Sequence, residues 1–204
     1  MTVQVNPATI PFTPEVEILK DDSWKLGPYI VSPKPSESLV GHVYLRFERE
    51  GLLDRMFTQG KPSLSWFLDW CGKADLLVCS EEIENGRAEL RGMGWLTEVQ
   101  DVAGVFRKAE AGICFFRRQS AVTIFGKLMM AWAFANLDLM VIYGTVPASN
   151  RAAVMYAQRM GMKLSGVLPS YTLWKGKPCA ACVFAITKED WACSPESTRS
   201  PAQL

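Results

Sequence analysis

The stretch SNRAAVMYAQRMGMKLSG, residues 149–166, carries a helix together with both of its end signals. Ser149 and Asn150 have short polar side chains that can accept hydrogen bonds from the free N–H groups of a first helical turn. Arg151 to Met160 is a run of good helix formers, and Gly161 suits the left-handed position at which helices end. The chain then passes directly into a segment with strand character. A capped helix feeding straight into a strand is a unit of an α/β chain, and its neighbours decide which kind.

After the helix, KLSGVLPSYTLW and CAACVFAIT predict a hairpin that turns at KGK. Before it, DLMVIYGTV reads as a buried strand, AVTIFGKLMMAWAFANL as a helix of good length, and KAEAGICFF as a strand. Further upstream, ADLLVCSEE and AELRGMGWLTEV read as neighbouring strands with a turn at ENG. EGLLDRMF and SLSWFLDWCG read as short amphipathic helices parted by the breaker TQGKP. LVGHVYLRFE reads as a strand by its alternation, SPKPSES as a loop, and VEILKDD and WKLGPYIVS as strands joined by a turn. No internal repeat is present. The expected class is α/β, with helices interrupting a central sheet.

Residues 1–14, with three prolines, read as an extended N-terminal arm, and the Ser- and Pro-rich residues 194–204 as a flexible tail. Residues 15–193 between them form the expected single domain. At 204 residues, 49% hydrophobic and 21% charged, the chain can bury a core without disulfides or metal. A net charge of +1 gives no electrostatic case for nucleic acid or an anionic membrane. No signal peptide is expected at the N-terminus. The apolar stretch from Ile124 to Val146 is broken by Lys127, Asn136, Asp138 and Gly144, against a membrane span. Of the six cysteines only Cys179 and Cys182 have CxxC spacing. They fall on a strand, which would point them to opposite faces, so no metal site is expected, and thiols in a reducing cytosol are the reading.

The order of elements from Ala109 to Trp191 resembles the C-terminal half of the GNAT superfamily, the acyl-CoA-dependent N-acetyltransferases. The residues that carry the resemblance are WAFANLDL (132–139), VPASN (146–150), RMGM (159–162) and KEDW (188–191). It implies a mixed, mostly antiparallel central sheet flanked by helices, with the fourth and fifth strands of the family's sheet splayed apart. Acetyl-CoA would lie in the V between strands ending near Phe116 and Val146, with Asn150 at the head of the flanking helix. Cys114, Phe115 and Phe116 would line the slot, on a strand from Ala109 to Phe116 that would supply backbone N–H groups for the thioester carbonyl. Arg117, Arg118, Gln119, Ser120, Ala121 and Val122 would form the phosphate loop, where free N–H groups at a helix start and two arginines suit a pyrophosphate.

That loop departs from the family pattern, and the resemblance is to a degenerate version of it. Arg117 fits the first position, but Ser120 stands where the family has its first glycine, and β-branched Val122 where it has a small residue. Glycine there lets backbone approach phosphate closely; Ser120 keeps its N–H and adds a hydroxyl, whereas Val122 puts a branched wall in the ligand's path, which leaves retained and weakened or absent CoA binding both open. A tyrosine four residues before the closing glycine serves many members as general acid. That position is Ala157 here, and Tyr156 is its neighbour, about a hundred degrees round the helix. A base for the amine is also required, and Glu110 and Glu98 are the positional candidates, ahead of Asp101. His42, the only histidine, falls on the expected strand as a half-buried side chain or a further base. Trp66 and Trp70, one helical turn apart, either pack the core or line an apolar acceptor site.

Three functional expectations follow. One is transfer of an acetyl group from acetyl-CoA to a small-molecule or protein amine, in the cytoplasm. The second is a catalytically silent GNAT-fold protein that has lost CoA, docks a partner through its terminal arms, and fits a phage or virion-associated role. The third is a different acyl or carbamoyl transfer in the same cleft.

Overall fold

The computed structural model describes residues 17–18, 24–26, 29–32, 35–57, 61–74, 76–84, 87–116 and 121–193. Its strands are β1 (Glu17–Ile18), β2 (Trp24–Leu26), β3 (Tyr29–Ser32), β4 (Leu76–Glu84), β5 (Arg87–Val102), β6 (Phe106–Phe115), β7 (Leu139–Pro147), β8 (Lys163–Trp174) and β9 (Lys177–Thr187). The helices are α1 (Glu37–Arg49), α2 (Leu53–Met56), α3 (Leu64–Gly72), α4 (Ala121–Asn136), α5 (Arg151–Arg159) and α6 (Lys188–Cys193). The strands form one sheet in the order β1-β2-β3-β4-β5-β6-β7-β9-β8. Among the described residues only β6 and β7 run parallel; every other neighbouring pair is antiparallel. The expected mixed sheet flanked by helices is therefore present. The terminal segments 1–14 and 194–204 lie outside the described residues.

Helix α5 is built as its sequence dictates. Asn150 caps it, its side chain accepting from the Ala153 N–H at 3.3 Å. Gly161 sits at φ +78. There the Gly161 N–H reaches the Gln158 carbonyl at 3.0 Å and the Met162 N–H reaches that of Ala157 at 3.1 Å, the paired bonds that close a helix on a left-handed residue.

Two sequence readings are corrected. LVGHVYLRFE is not a strand but most of α1. Val40, Val43, Tyr44 and Phe47 follow the helical i, i+3, i+4, i+7 spacing and are all buried, whereas Leu45, which alternation placed inside, is 56% exposed. Ser36 caps α1 by accepting from the Leu39 N–H, and Gly51 at φ +63 ends it. WKLGPYIVS, read as one strand, is two antiparallel strands, β2 and β3. Gly27 and Pro28 between them lie outside the described residues.

Side chains alternate along β6 and so separate two cores. Ala109, Ala111, Ile113 and Phe115 join a cluster with α4, β7 and Trp191 of α6. Cys114 and Phe116 join the opposite cluster, formed by α1, α2 and α3 with Met93 and Trp95.

Candidate functional site

The parallel ladder between β6 and β7 is short. It pairs Arg107 with Leu139, Lys108 with Val141, Ala109 with Ile142 and Glu110 with Tyr143, and ends there. Both strands continue past that point, each held on its outer side only. β6 stays paired with β5 up to Phe115, and β7 with β9 up to Pro147. From Ala111 and Gly144 onward the two strands present their inner backbone edges to a wedge-shaped slot. Gly144 sits at its apex, where an added Cβ would come within 3.0 Å of the Ala111 carbonyl oxygen. Unpaired amide edges are what an extended chain with its own amide groups can bond to.

Acidic and phenolic groups gather on one side of that apex. Glu110 is the last residue of the ladder and shares a face of β6 with Gly112 and Cys114. Glu98 belongs to a bulge in β5, where Glu98 and Val99 are skipped between the pairs Thr97–Glu110 and Gln100–Lys108. The bulge puts Glu98 at φ +54, a left-handed conformation uncommon for a residue with a side chain, and aims its carboxylate at β7. There the Tyr143 hydroxyl donates to Glu98 Oε2 at 3.2 Å. Burial, and then the negative charge of Glu98, push the Glu110 carboxyl above the ordinary carboxylate range, while a hydrogen bond from Thr145 pulls it back. Burial and the charges of Glu110 and Glu98 push the Tyr143 phenol up to about 12. The Lys108 ammonium lies 5.5 Å from the centre of the Tyr143 ring.

The structure thus brings together the two carboxylates named from sequence, Glu110 and Glu98. Tyr143 and Thr145 escaped that reading. DLMVIYGTV looked like a uniformly buried strand, and only the register of β7 against β6 reveals which of its side chains flank the apex. Asp101 stands near the end of β5, paired with Arg107, and its carboxylate accepts from the Gly104 N–H of the following turn at 2.6 Å. His42 is exposed on α1, its Nδ1 2.8 Å from the Ser38 carbonyl, and takes no part in the cluster.

The side chains of Cys114, Phe115 and Phe116 pack away from the slot, which leaves backbone groups as what this strand can offer it. Cys114 packs on the α1–α3 core, where burial raises its thiol to about 12. Phe116 is buried there, its ring tilted at 52° to that of Phe47 with centroids 5.0 Å apart. Phe115 meets Phe125 edge-on at 5.3 Å on the opposite face. Of the three, only Phe115 turns its backbone groups to the slot, because the Phe116 N–H bonds the Arg91 carbonyl and the alternation puts Cys114 in the same ladder with β5. Arg117, Arg118, Gln119 and Ser120 lie outside the described residues, and Ala121 and Val122 open helix α4. Asn150 acts as the cap of α5.

Tyr156, named from sequence as a candidate acid, is not in the carboxylate cluster. It packs against the α4 core, its hydroxyl so close to Gly126 that a Cβ there would lie 1.9 Å away. Burial raises its phenol far above the ordinary range. The rotation by one position from Ala157 directs it into the seam between two helices.

Among the described residues, no helix is long and apolar enough to cross a membrane, and no group of three or more His, Cys, Asp or Glu could hold a metal ion.

No family model matches the sequence, and no curated protein does. Solved structures do match. A spermidine N-acetyltransferase SpeG chimera, from Vibrio cholerae and hSSAT, aligns with a TM-score of 0.69 at 16% identity, covering 82% of this chain and 100% of its own. The Vibrio cholerae spermidine N-acetyltransferase in complex with CoA and spermine aligns with a TM-score of 0.69 at 16% identity, covering 81% of this chain and 98% of its own. The ribosomal-protein-S5-alanine acetyltransferase of Vibrio fischeri gives a TM-score of 0.66 at 14% identity, covering 83% of this chain and 98% of its own. The chain has the GNAT fold. These neighbours give no support to a phage or virion role, or to assembly through the terminal arms.

Proposed function

We propose that the chain transfers an acetyl group from acetyl-CoA to an amine, by direct attack of the amine on the thioester. The observation that carries this reading is the end of the parallel ladder at Glu110 and Tyr143, which opens a slot with two carboxylates at its apex. The solved neighbour with CoA bound shares this fold. An acyl thioester supplies a carbonyl carbon already activated for attack. The free backbone edges from Ala111 to Phe115 and from Gly144 to Pro147 suit the amide-bearing arm of CoA. The loop at 117–122 is the proposed pyrophosphate site, with Asn150 fixing the start of the neighbouring helix.

The chemistry then falls to the cluster. An aliphatic amine arrives as its ammonium at neutral pH and must lose a proton before its lone pair can attack. Glu110, with its proton affinity raised by burial and by Glu98, is the proposed base, acting directly or through one water. Glu98 holds the incoming ammonium by charge, and Tyr143 fixes Glu98 by its hydrogen bond. Backbone N–H groups on the β6 edge polarise the thioester carbonyl. As the new C–N bond forms and the C–S bond breaks, the amine's second proton leaves and the departing thiolate gains one. The net products are the amide, CoA thiol and one proton.

The acceptor is proposed to be a small-molecule amine in the cytoplasm, with a protein amine as the other class. Ser120 and Val122 favour the rival reading, a GNAT scaffold without cofactor. Thermal melting with and without acetyl-CoA separates them, because a ligand that binds only the native state raises the midpoint. The expected result is a rise with acetyl-CoA and a smaller one with CoA. No rise at millimolar acetyl-CoA, and no thiol released in the presence of amines, would remove the enzyme reading.

A further inference from the structure

An aromatic wall runs from the carboxylate cluster to the surface. Gly112 follows Glu110 on the same face of β6, and the indole of Trp95 lies across it. A Cβ on Gly112 would come within 2.1 Å of that ring, so only glycine lets the indole lie so flat. Trp70 of α3 meets Trp95 edge-on, centroids 5.4 Å apart at 74°. Trp66, one turn earlier, is parallel to Trp70 within 6°, at 6.4 Å. Phe57 closes the row, edge-on to both Trp66 and Trp70 at 5.3 Å.

Packing accounts for the inner part of the row, since Trp70 and Trp95 contact the α1–α3 core. It does not account for Trp66, which is 46% exposed. A large ring held in a fixed stack while half in water is a surface prepared for a flat or apolar ligand. The charges point the same way. Negative charge is concentrated at the slot end, on Glu98 and Glu110. Three acids on the helices beside the wall are engaged in ion pairs, Asp69 with Lys73 at 2.6 Å, Glu48 with Lys61 at 2.5 Å, and Glu50 with Arg46, and Asp54 of α2 adds its charge to the field at Lys61. One ammonium is therefore provided for at the apex, while the wall beyond it offers rings.

We propose that the acceptor is a monoamine with an apolar or aromatic body, its nitrogen at Glu98 and Glu110 and its body lying along Trp95, Trp70 and Trp66, in preference to a polycationic amine. The inference rests on the acyl-transfer reading for the direction of the amine, and it adds the class of acceptor.

The full chain is tested with 2-phenylethylamine, hexylamine and spermidine, by titration calorimetry and by CoA release from acetyl-CoA. Phenylethylamine is expected to exceed spermidine at least tenfold in kcat/KM and to bind more tightly in calorimetry. Trp66→Ala should raise the KM and Kd for phenylethylamine about three- to tenfold, the range for one aromatic contact. It should leave kcat and the response to spermidine near wild type and lower the melting midpoint by a few degrees through the lost Trp70 and Phe57 contacts, and Trp66→Phe should recover most of both losses. Spermidine bound as well as or better than phenylethylamine, or a Trp66→Ala chain with unchanged selectivity, would overturn the proposal. Should acetyl-CoA neither bind nor react, the calorimetric arm still decides: phenylethylamine binding weakened by Trp66→Ala upholds the aromatic site after the transfer reading has fallen.

Discussion

The hydroxyl of Tyr143 on β7 reaches over the intervening strand to the carboxylate of Glu98 on β5, 3.2 Å away. Glu110 stands on β6 between them. The bridge exists because the β5 bulge turns Glu98 out of the regular pleat at φ +54. With its phenol pushed up to about 12, Tyr143 remains protonated and a donor throughout the working pH range. Tyr143→Phe removes one hydrogen bond to a charged acceptor, worth roughly 1.5 kcal/mol or somewhat more. A loss of about tenfold in kcat/KM is expected in steady-state assays, with no change in the alkaline limb. A thousandfold loss would mean that the phenol itself carries the transferred proton.

Glu110→Gln separates catalysis from stability by opposite signs. The raised pKa means that the native chain holds this proton more tightly than the unfolded chain. The carboxyl therefore takes no stability from the fold below the ordinary carboxylate pKa, and weakens it as pH rises through the raised value. Calorimetry should show Glu110→Gln with a higher Tm than wild type at pH 8 and the same Tm near pH 4. Transfer should fall by about 10²–10⁴, the usual contribution of a general base. A lower Tm at pH 8 would contradict the assigned burial.

Gly144→Ala tests the slot where it is narrowest. The new methyl meets the Ala111 carbonyl oxygen at 3.0 Å, tighter than an ordinary contact, and the partner atom is backbone. The strands must part slightly or the slot must narrow. The acetyl-CoA-induced rise in Tm should shrink by at least half, while the circular dichroism of the unliganded chain stays unchanged. An undiminished rise would place the ligand elsewhere.

Gly126→Ala addresses Tyr156. A methyl 1.9 Å from the phenol oxygen and 3.1 Å from the Met160 sulfur cannot be accommodated without movement. Overpacking of this kind destabilises by about 1–3 kcal/mol. Tyr156→Phe should restore part of that loss in a double-mutant cycle, and by itself should keep most of the transfer rate. Additive effects on stability would show that the two positions are not in contact.

What the sequence disclosed was mostly local. Asn150, Gly161 and the KGK turn specify their geometry within a few residues, and α5 and the β8–β9 hairpin follow from them. The α1 segment carries two periods at once: Leu39, Gly41, Val43, Leu45 and Phe47 alternate as in a strand, while Val40, Val43, Tyr44 and Phe47 follow the helical spacing. The boundary signal at Pro35–Ser36 and the stop at Gly51 favour the helix. In the candidate site, Glu98 and Glu110 could be named by position along their strands. Tyr143 and Thr145 could not, since their meeting depends on a bulge in one strand and the register of another, both set by tertiary packing.

With four rungs joining β6 to β7, the nine-stranded sheet is mechanically two leaves, one of six strands and one of three, stitched along a brief seam. A guest whose amides bridge both margins would add rungs beyond Glu110 and Tyr143. Occupancy would then tie the leaves together and slow amide exchange in both at once, far from any side chain it touches.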